Sequence, residues 1–93
     1  MTIPQYCIQI SEFLKESNPS WSEGFAWFAT QYELDPNQTL TQIRHRYGGM
    51  GSFSDLVLYK DENVDFEAME KLDALRDGLY DKVVEEIIAL RSK

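Results

Sequence analysis

"HRYGGMGSFSDLVLY", residues 45–59, decides the fold. Its end, Leu56 to Tyr59, is rich in residues that favour strands, and a strand there would make the protein mixed. No second strand candidate stands in the sequence to pair with it, and an isolated strand is not viable. Ser52 with Asp55 three residues later is a helix-capping pattern, so the stretch predicts a short helix with Phe53, Leu56, Val57 and Tyr59 inward. Gly48 falls where a left-handed residue closes the preceding helix. The stretch then reads as a tight corner between two helices. A second reading keeps the same residues for chemistry. The amides of Gly49, Met50, Gly51 and Ser52 would converge on an anion at the start of the following helix, with Arg44 and Arg46 supplying positive charge. No Gly-Lys-Ser/Thr follows, so this is not a P-loop, and no strand precedes it to make a dinucleotide loop.

Upstream, three helices emerge. Thr2 caps the first, with Pro4 in the opening turn. Ile3, Tyr6, Cys7, Ile10, Phe13 and Leu14 recur at helical spacing, and "ESNPS" stops the run because the residue before proline avoids helical backbone. Ser20 with Glu23 predicts a capping box for the second helix, whose stripe is Trp21, Phe25, Phe28 and Tyr32. Trp27 points away from that stripe. Either the helix is sandwiched and buries two faces, the commoner arrangement in a small bundle, or Trp27 is exposed and meets a partner. Asp35-Pro36-Asn37-Gln38 opens the third helix, with Leu40, Ile43 and Tyr47 on its buried edge. Downstream, "KDEN" turns the chain and Asp65 caps a long last helix from Phe66 to about Arg91. Phe66, Met69, Leu72, Leu75, Leu79, Val83, Ile87 and Leu90 step along it by three or four residues. Gly78 is expected on its opposite side. The predicted architecture is all-α: a single domain, residues 1–93, forming a bundle of four to five helices with a Gly-rich corner.

Composition narrows the function. The net charge is −7. Residues 1–42 hold one Lys against five acids, residues 43–60 three basic residues against one acid, and residues 61–93 five basic residues against ten acids. That balance argues against nucleic acid, because neutralising phosphates takes Lys and Arg. It suits a basic protein partner, or simply solubility. Cys7 is the lone cysteine, so no internal disulfide forms. The first residues lack the basic and apolar regions of a signal peptide, and no apolar run reaches membrane-spanning length. A cytoplasmic protein that does not engage membranes is expected.

No catalytic cluster stands out. His45 is the only histidine; a general base needs an orienting partner and a metal site needs several ligands. His45 reads as a cation at a helix end, where the dipole favours it, and neither metal nor cofactor is expected. The most unusual pattern is on the last helix, where Asp73, Asp77, Asp81 and Glu85 stand four apart. Such like charges repel by about 0.2–0.5 kcal/mol per pair, with Arg76 and Lys82 near enough to give some relief. The ladder is either a solvated face or the contact surface for a basic partner, to which an exposed Trp27 would add. Arg44 and Arg46 would alternatively turn inward onto the same acids as an electrostatic clamp.

Residues Tyr47 to Tyr59, with Glu62 and Asn63 beyond them, resemble the core motif of a family of small bacterial proteins of unknown function, Tyr-Gly-Gly-Met-Gly-Ser-[Phe/Leu]-x-Asp-Leu-Val-Leu followed by a Glu-Asn pair. The resemblance implies a short helical protein, and some members look like immunity-type neutralisers encoded beside toxins. It implies no activity and no catalytic residues. It singles out Gly48, Gly49, Met50, Gly51, Ser52, Asp55, Glu62 and Asn63 as a unit. The uneven negative charge, the ladder from Asp73 to Glu85 and the lack of a catalytic cluster make the expected function a non-enzymatic acidic binding protein that neutralises or regulates a basic protein. The alternative is an anion or small-ligand binder at the Gly-rich corner. A homodimer built on the last helix or around Trp27 is a third reading.

Overall fold

The computed structural model describes residues 1–48 and 51–92. Four helices, α1 (Ile3–Leu14), α2 (Pro19–Leu34), α3 (Pro36–Arg46) and α4 (Phe66–Arg91), carry the fold. Between α3 and α4 lie a single 3-10 turn, Phe53–Asp55, and a two-stranded antiparallel hairpin, β1 (Tyr59–Lys60) and β2 (Asn63–Val64). The protein is helical, as its periodicities predict.

The helix starts follow from their capping residues. The Thr2 hydroxyl accepts from the Gln5 N–H at 3.3 Å, while the Thr2 N–H donates to Gln5 Oε1 at 2.8 Å, a reciprocal box. Asp35 Oδ1 accepts from the Gln38 N–H, and Asp65 Oδ1 from the Ala68 N–H at 3.0 Å. Such caps contribute about 1 kcal/mol each. α2 starts differently from the prediction. Pro19, already suited to a first helical position because it has no N–H to lose, makes Asn18 the cap and draws Ser20 into the helix. The serine that matters is Ser22. It is buried and clasps α1: Ser22 Oγ donates to the Ser11 carbonyl at 2.7 Å, and Ser11 Oγ donates to the Ser22 carbonyl at 2.8 Å.

Ile3, Cys7, Ile10 and Leu14 of α1, Phe25 and Phe28 of α2, Leu40 and Ile43 of α3, and Leu72, Leu79 and Val83 of α4 form one core with Phe53 and Leu58. α2 packs mainly on α1 and α3, and α4 packs mainly on the same two helices. Among the described residues no helix packs over Trp27, which is 48% exposed with Phe28 as its ring neighbour at 5.6 Å. The sandwiched arrangement of α2 does not form. Gly78 lies on the inner side of α4 and not opposite it. A Cβ there would stand 2.6 Å from the Tyr6 hydroxyl, so the missing side chain lets α1 approach.

The predicted short helix is shorter still. It is one 3-10 turn, Ser52 makes no capping bond, and the chain is extended from Leu56 into β1. Tyr59 pairs with Val64 and Lys60 with Asn63, and the Asp65 N–H reaches the Leu58 carbonyl at 2.9 Å. The turn between them places Asp61 at φ 51 and Glu62 at φ 71, the two left-handed residues of a hairpin turn that usually recruits Asn-Gly or Asp-Gly. The inward residues are accordingly Phe53 and Leu58, while Val57 and Tyr59 are exposed. Gly48 is not left-handed either. The Tyr47 and Gly48 amides bond back three residues, to the Arg44 and His45 carbonyls, which ends α3 without such a residue. Gly51, at φ 75, is the described glycine with positive φ.

At 26 residues α4 is about 39 Å long. α1 and α3, with 12 and 11 residues, are less than half that length. Both ends of α4 overhang the bundle, which leaves Phe66 and Leu90 exposed although they continue the apolar stripe, and Ile88 beside them exposed as well.

Candidate functional site: an acidic ridge and a pinned corner

Arg76 organises the corner. It sits among Leu72, Leu79 and Val83 on the inner side of α4 and is buried. Its Nη1 donates to the Phe53 carbonyl at 2.8 Å and to the Leu56 carbonyl at 3.1 Å, and its Nη2 pairs with the Asp73 carboxylate. The guanidinium also lies 5.8 Å from the Phe53 ring centre. Bonds return in the other direction. The Tyr47 hydroxyl donates to the Arg76 carbonyl at 2.7 Å, and Ser54 Oγ donates to the Tyr47 carbonyl at 2.7 Å. Burial pushes the Tyr47 phenol well above its ordinary range, which keeps the proton it donates. Phe53 fills the centre, 4.6 Å from the Phe25 ring and 5.2 Å from Trp21. Sequence spacing identifies Arg76 as a neighbour of Asp73. It does not reveal that a charged side chain in the apolar stripe caps the carbonyls of a segment twenty residues away.

The corner's polar groups are thus largely bonded within the chain. The Gly51 N–H, a donor the anion reading requires, is taken by Asp55 Oδ2 at 3.0 Å. Gly51 and Ser52 border a hollow of about 330 Å³ walled by Trp21, Leu56, Val57 and Tyr59, with Asp55 among its lining residues. Arg46 borders a different hollow, with Ser20, Gly24 and Phe28, its guanidinium 5.7 Å from the Phe28 ring. Arg44 is exposed on the last turn of α3. The structure does not bring Arg44 and Arg46 onto the Gly51–Ser52 amides. Gly49 and Met50 lie outside the described residues. Among the described residues neither arginine pairs with an acid of α4, so the inward clamp does not form.

Asp73, Asp77, Asp81 and Glu85 are all exposed along one ridge of α4. Its ends are neutralised: Asp73 by Arg76, and Glu85 by Lys82 at 3.5 Å, a lysine also 3.8 Å from Glu86. Asp77 and Asp81 in the middle have no ion-pair partner among the described residues. Beside them Tyr80, 37% exposed, leans on Tyr47 with ring centres 5.1 Å apart. Asp77 and Tyr80 edge a hollow of about 390 Å³ with Tyr47, Ser54 and Arg76. The aromatic ring next to the ridge is therefore Tyr80. Trp27 is on α2, whose main neighbours are α1 and α3.

His45 is exposed at the end of α3. Cys7 is fully buried and its thiol is pushed up to about 12 by burial, so it stays neutral and packs as a small apolar group. Among the described residues no three His, Cys, Asp or Glu side chains are grouped to hold a metal ion, and no helix is long and apolar enough to cross a membrane.

Residues 14–67 match the model of a family described as Domain of unknown function (DUF6966). The matched segment takes in α2, α3, the corner and the hairpin, and ends at the first turn of α4. No curated protein and no solved structure matches the chain.

Proposed function

The chain belongs to the DUF6966 family, and from its surface chemistry we propose that it is a cytoplasmic, non-enzymatic binding protein that neutralises or regulates a basic protein. The observation that carries this reading is the unneutralised centre of the α4 ridge. Asp77 and Asp81 stand one turn apart, repel each other, and have no cation beside them among the described residues. A basic surface laid along α4 would relieve that repulsion, and Tyr80 gives the contact an aromatic ring at its edge. The net charge of −7 steers such a partner from a distance. The likeness of Tyr47–Tyr59 to the motif of small bacterial proteins, some of them immunity-like, supports a neutralising role. The ridge lies beyond residue 67, so on this reading it is a feature of this chain outside the segment that matches the family.

Pull-down from native lysate with Asp77→Lys/Asp81→Lys against the unaltered chain tests the proposal. Loss of a partner rich in Lys and Arg is expected, with no loss on Trp27→Ala. Unchanged retention by the charge-reversed chain removes the ridge from the mechanism.

A further inference from the structure

The hairpin turns its apolar side chains outward. Tyr59 and Val64 face each other across the two strands, so their side chains share one face. Tyr59 is 66% exposed, and Phe66, two residues past Val64 through the extended Asp65, is 79% exposed. Exposed large apolar residues are unremarkable singly; grouped on one short projection they mark a contact surface. Behind Tyr59 opens the hollow of about 330 Å³, with Trp21 and Val57 as apolar walls. Asp55 lines it too. One of its carboxylate oxygens holds the Gly51 N–H, and among the described residues the carboxylate has no ion-pair partner.

Charge selects the occupant. From Tyr47 to Glu70 the chain carries six acids and a single base, Lys60. Asp61 and Glu62 form the hairpin tip. A second copy of this chain would bring the same acids face to face, and an anionic lipid or nucleic-acid surface would be repelled outright. We infer that the hairpin and the hollow behind it dock a protein segment in which arginine or lysine alternates with apolar side chains. The stem of one cationic residue lies against Trp21, Val57 and Tyr59 and its head reaches Asp55, while the apolar neighbours cover Tyr59, Val64 and Phe66. This rests on the basic-partner reading but assigns the contact to a different surface, one inside the family-matched residues 14–67.

The test is an amide NMR titration of the full chain with an octapeptide of alternating arginine and leucine, beside arginine–glycine and glutamate–leucine octapeptides. The arginine–leucine peptide should shift amides of residues 51–66 saturably. Tyr59→Ser or Phe66→Ser should weaken it about tenfold, and Asp55→Asn should weaken it measurably, each with the remaining spectrum unchanged. Asp77→Asn/Asp81→Asn should leave that site intact. Shifts confined to residues 73–85 and insensitive to Tyr59→Ser overturn the hairpin site and leave the ridge standing. No shift with either arginine peptide overturns both. Equal shifts with the glutamate–leucine peptide overturn the charge selection, and a dimer in sedimentation that Phe66→Ser dissociates assigns the face to a second copy and overturns the proposal.

Discussion

The described residues of 47–58 and residues 59–66 adjoin in the chain and use their side chains in opposite ways. The corner directs its polar groups onto itself: the Tyr47 hydroxyl reaches the Arg76 carbonyl, Ser54 Oγ reaches the Tyr47 carbonyl, and Arg76 holds the Phe53 and Leu56 carbonyls, while the exposed Asp55 keeps one carboxylate oxygen on the Gly51 N–H. The hairpin and the first residue of α4 direct apolar groups outward, with Tyr59 and Phe66 largely and Val64 partly exposed. The first region is a fastening and the second is what it fastens. A two-stranded ribbon this short is not stable alone. It holds its shape because Leu58 is buried in the core and Arg76 grips the segment just before it. Among the described residues of the Gly-rich motif, Gly51 and Ser52 bond within the corner, and the residues that follow it present the exposed apolar groups.

The sharpest way to break that contrast is to truncate one phenylalanine from each region. Phe53 is fully buried between Phe25, Trp21 and Tyr47. Phe53→Ala should lose about 3–5 kcal/mol in a urea melt, enough to unfold much of a 93-residue chain. Phe66→Ala should stay within about 0.5 kcal/mol of the unaltered chain. Comparable losses at both positions would mean that the hairpin face is part of the core.

Next in size is Arg76→Met, which keeps the apolar stem and removes the charge. It takes the Arg76 donor from the Leu56 carbonyl, leaves the Phe53 carbonyl with only the Leu56 N–H at 3.3 Å, and deprives Asp73 of its partner, so a loss of about 2–4 kcal/mol is expected. Hydrogen exchange should speed up for residues 51–58 before it does for α1. A stable Arg76→Met variant with unchanged exchange would mean that the corner holds itself.

How far the sequence carries these conclusions depends on the kind of signal. Thr2, Asp35 and Asp65 are legible as caps because the bond joins residues three apart, and all four helices are legible from their stripes. The hairpin is not, because its turn holds Asp61 and Glu62 where glycine would announce it. Periodicity places Phe66 and Leu90 on the inner side of α4, but it says nothing of how far α1 and α3 extend to cover them. Gly78 has the same difficulty: only the position of Tyr6 shows what the absent Cβ would strike. The acidic ridge is visible in the sequence as a ladder. That its two ends are neutralised and its centre is not depends on where Arg76 and Lys82 reach, and Arg76 reaches into the core.

Alkali should weaken the buried core and the corner packed on it, through Cys7 of α1 and Tyr47. The Cys7 thiol is raised from 9.0 to about 12 and the Tyr47 phenol is raised above 10.0, in both cases chiefly by burial. Below pH 9 each is protonated in folded and unfolded chains alike, and the burial preference for the neutral group is intact. Above pH 9 the unfolded thiol ionises while the folded one does not, so stability falls by about 1.4 kcal/mol per pH unit until the folded thiol ionises too. Tyr47 adds its own decline above pH 10. Denaturant midpoints measured from pH 8 to pH 10.5 should fall for the unaltered chain and fall less for Cys7→Ala. An equal slope in both would assign the loss to other groups.

The smallest effect expected lies at the hairpin tip and sharpens the comparison from the other side. Glu62 has φ 71, where a side chain clashes with its own backbone and glycine does not. Glu62→Gly turns the two central residues into Asp-Gly, the pair such a turn favours, so a gain of about 0.5–1 kcal/mol is expected in the same melt. Among the described residues no cation of the protein pairs with that carboxylate, and the proposed docking assigns it to the bound cationic segment. The two readouts should therefore move apart: a higher melting midpoint together with weaker binding of the arginine–leucine peptide. If both improve, the tip is a turn and nothing more, and the docking surface shrinks to Tyr59, Val64, Phe66 and the hollow at Asp55.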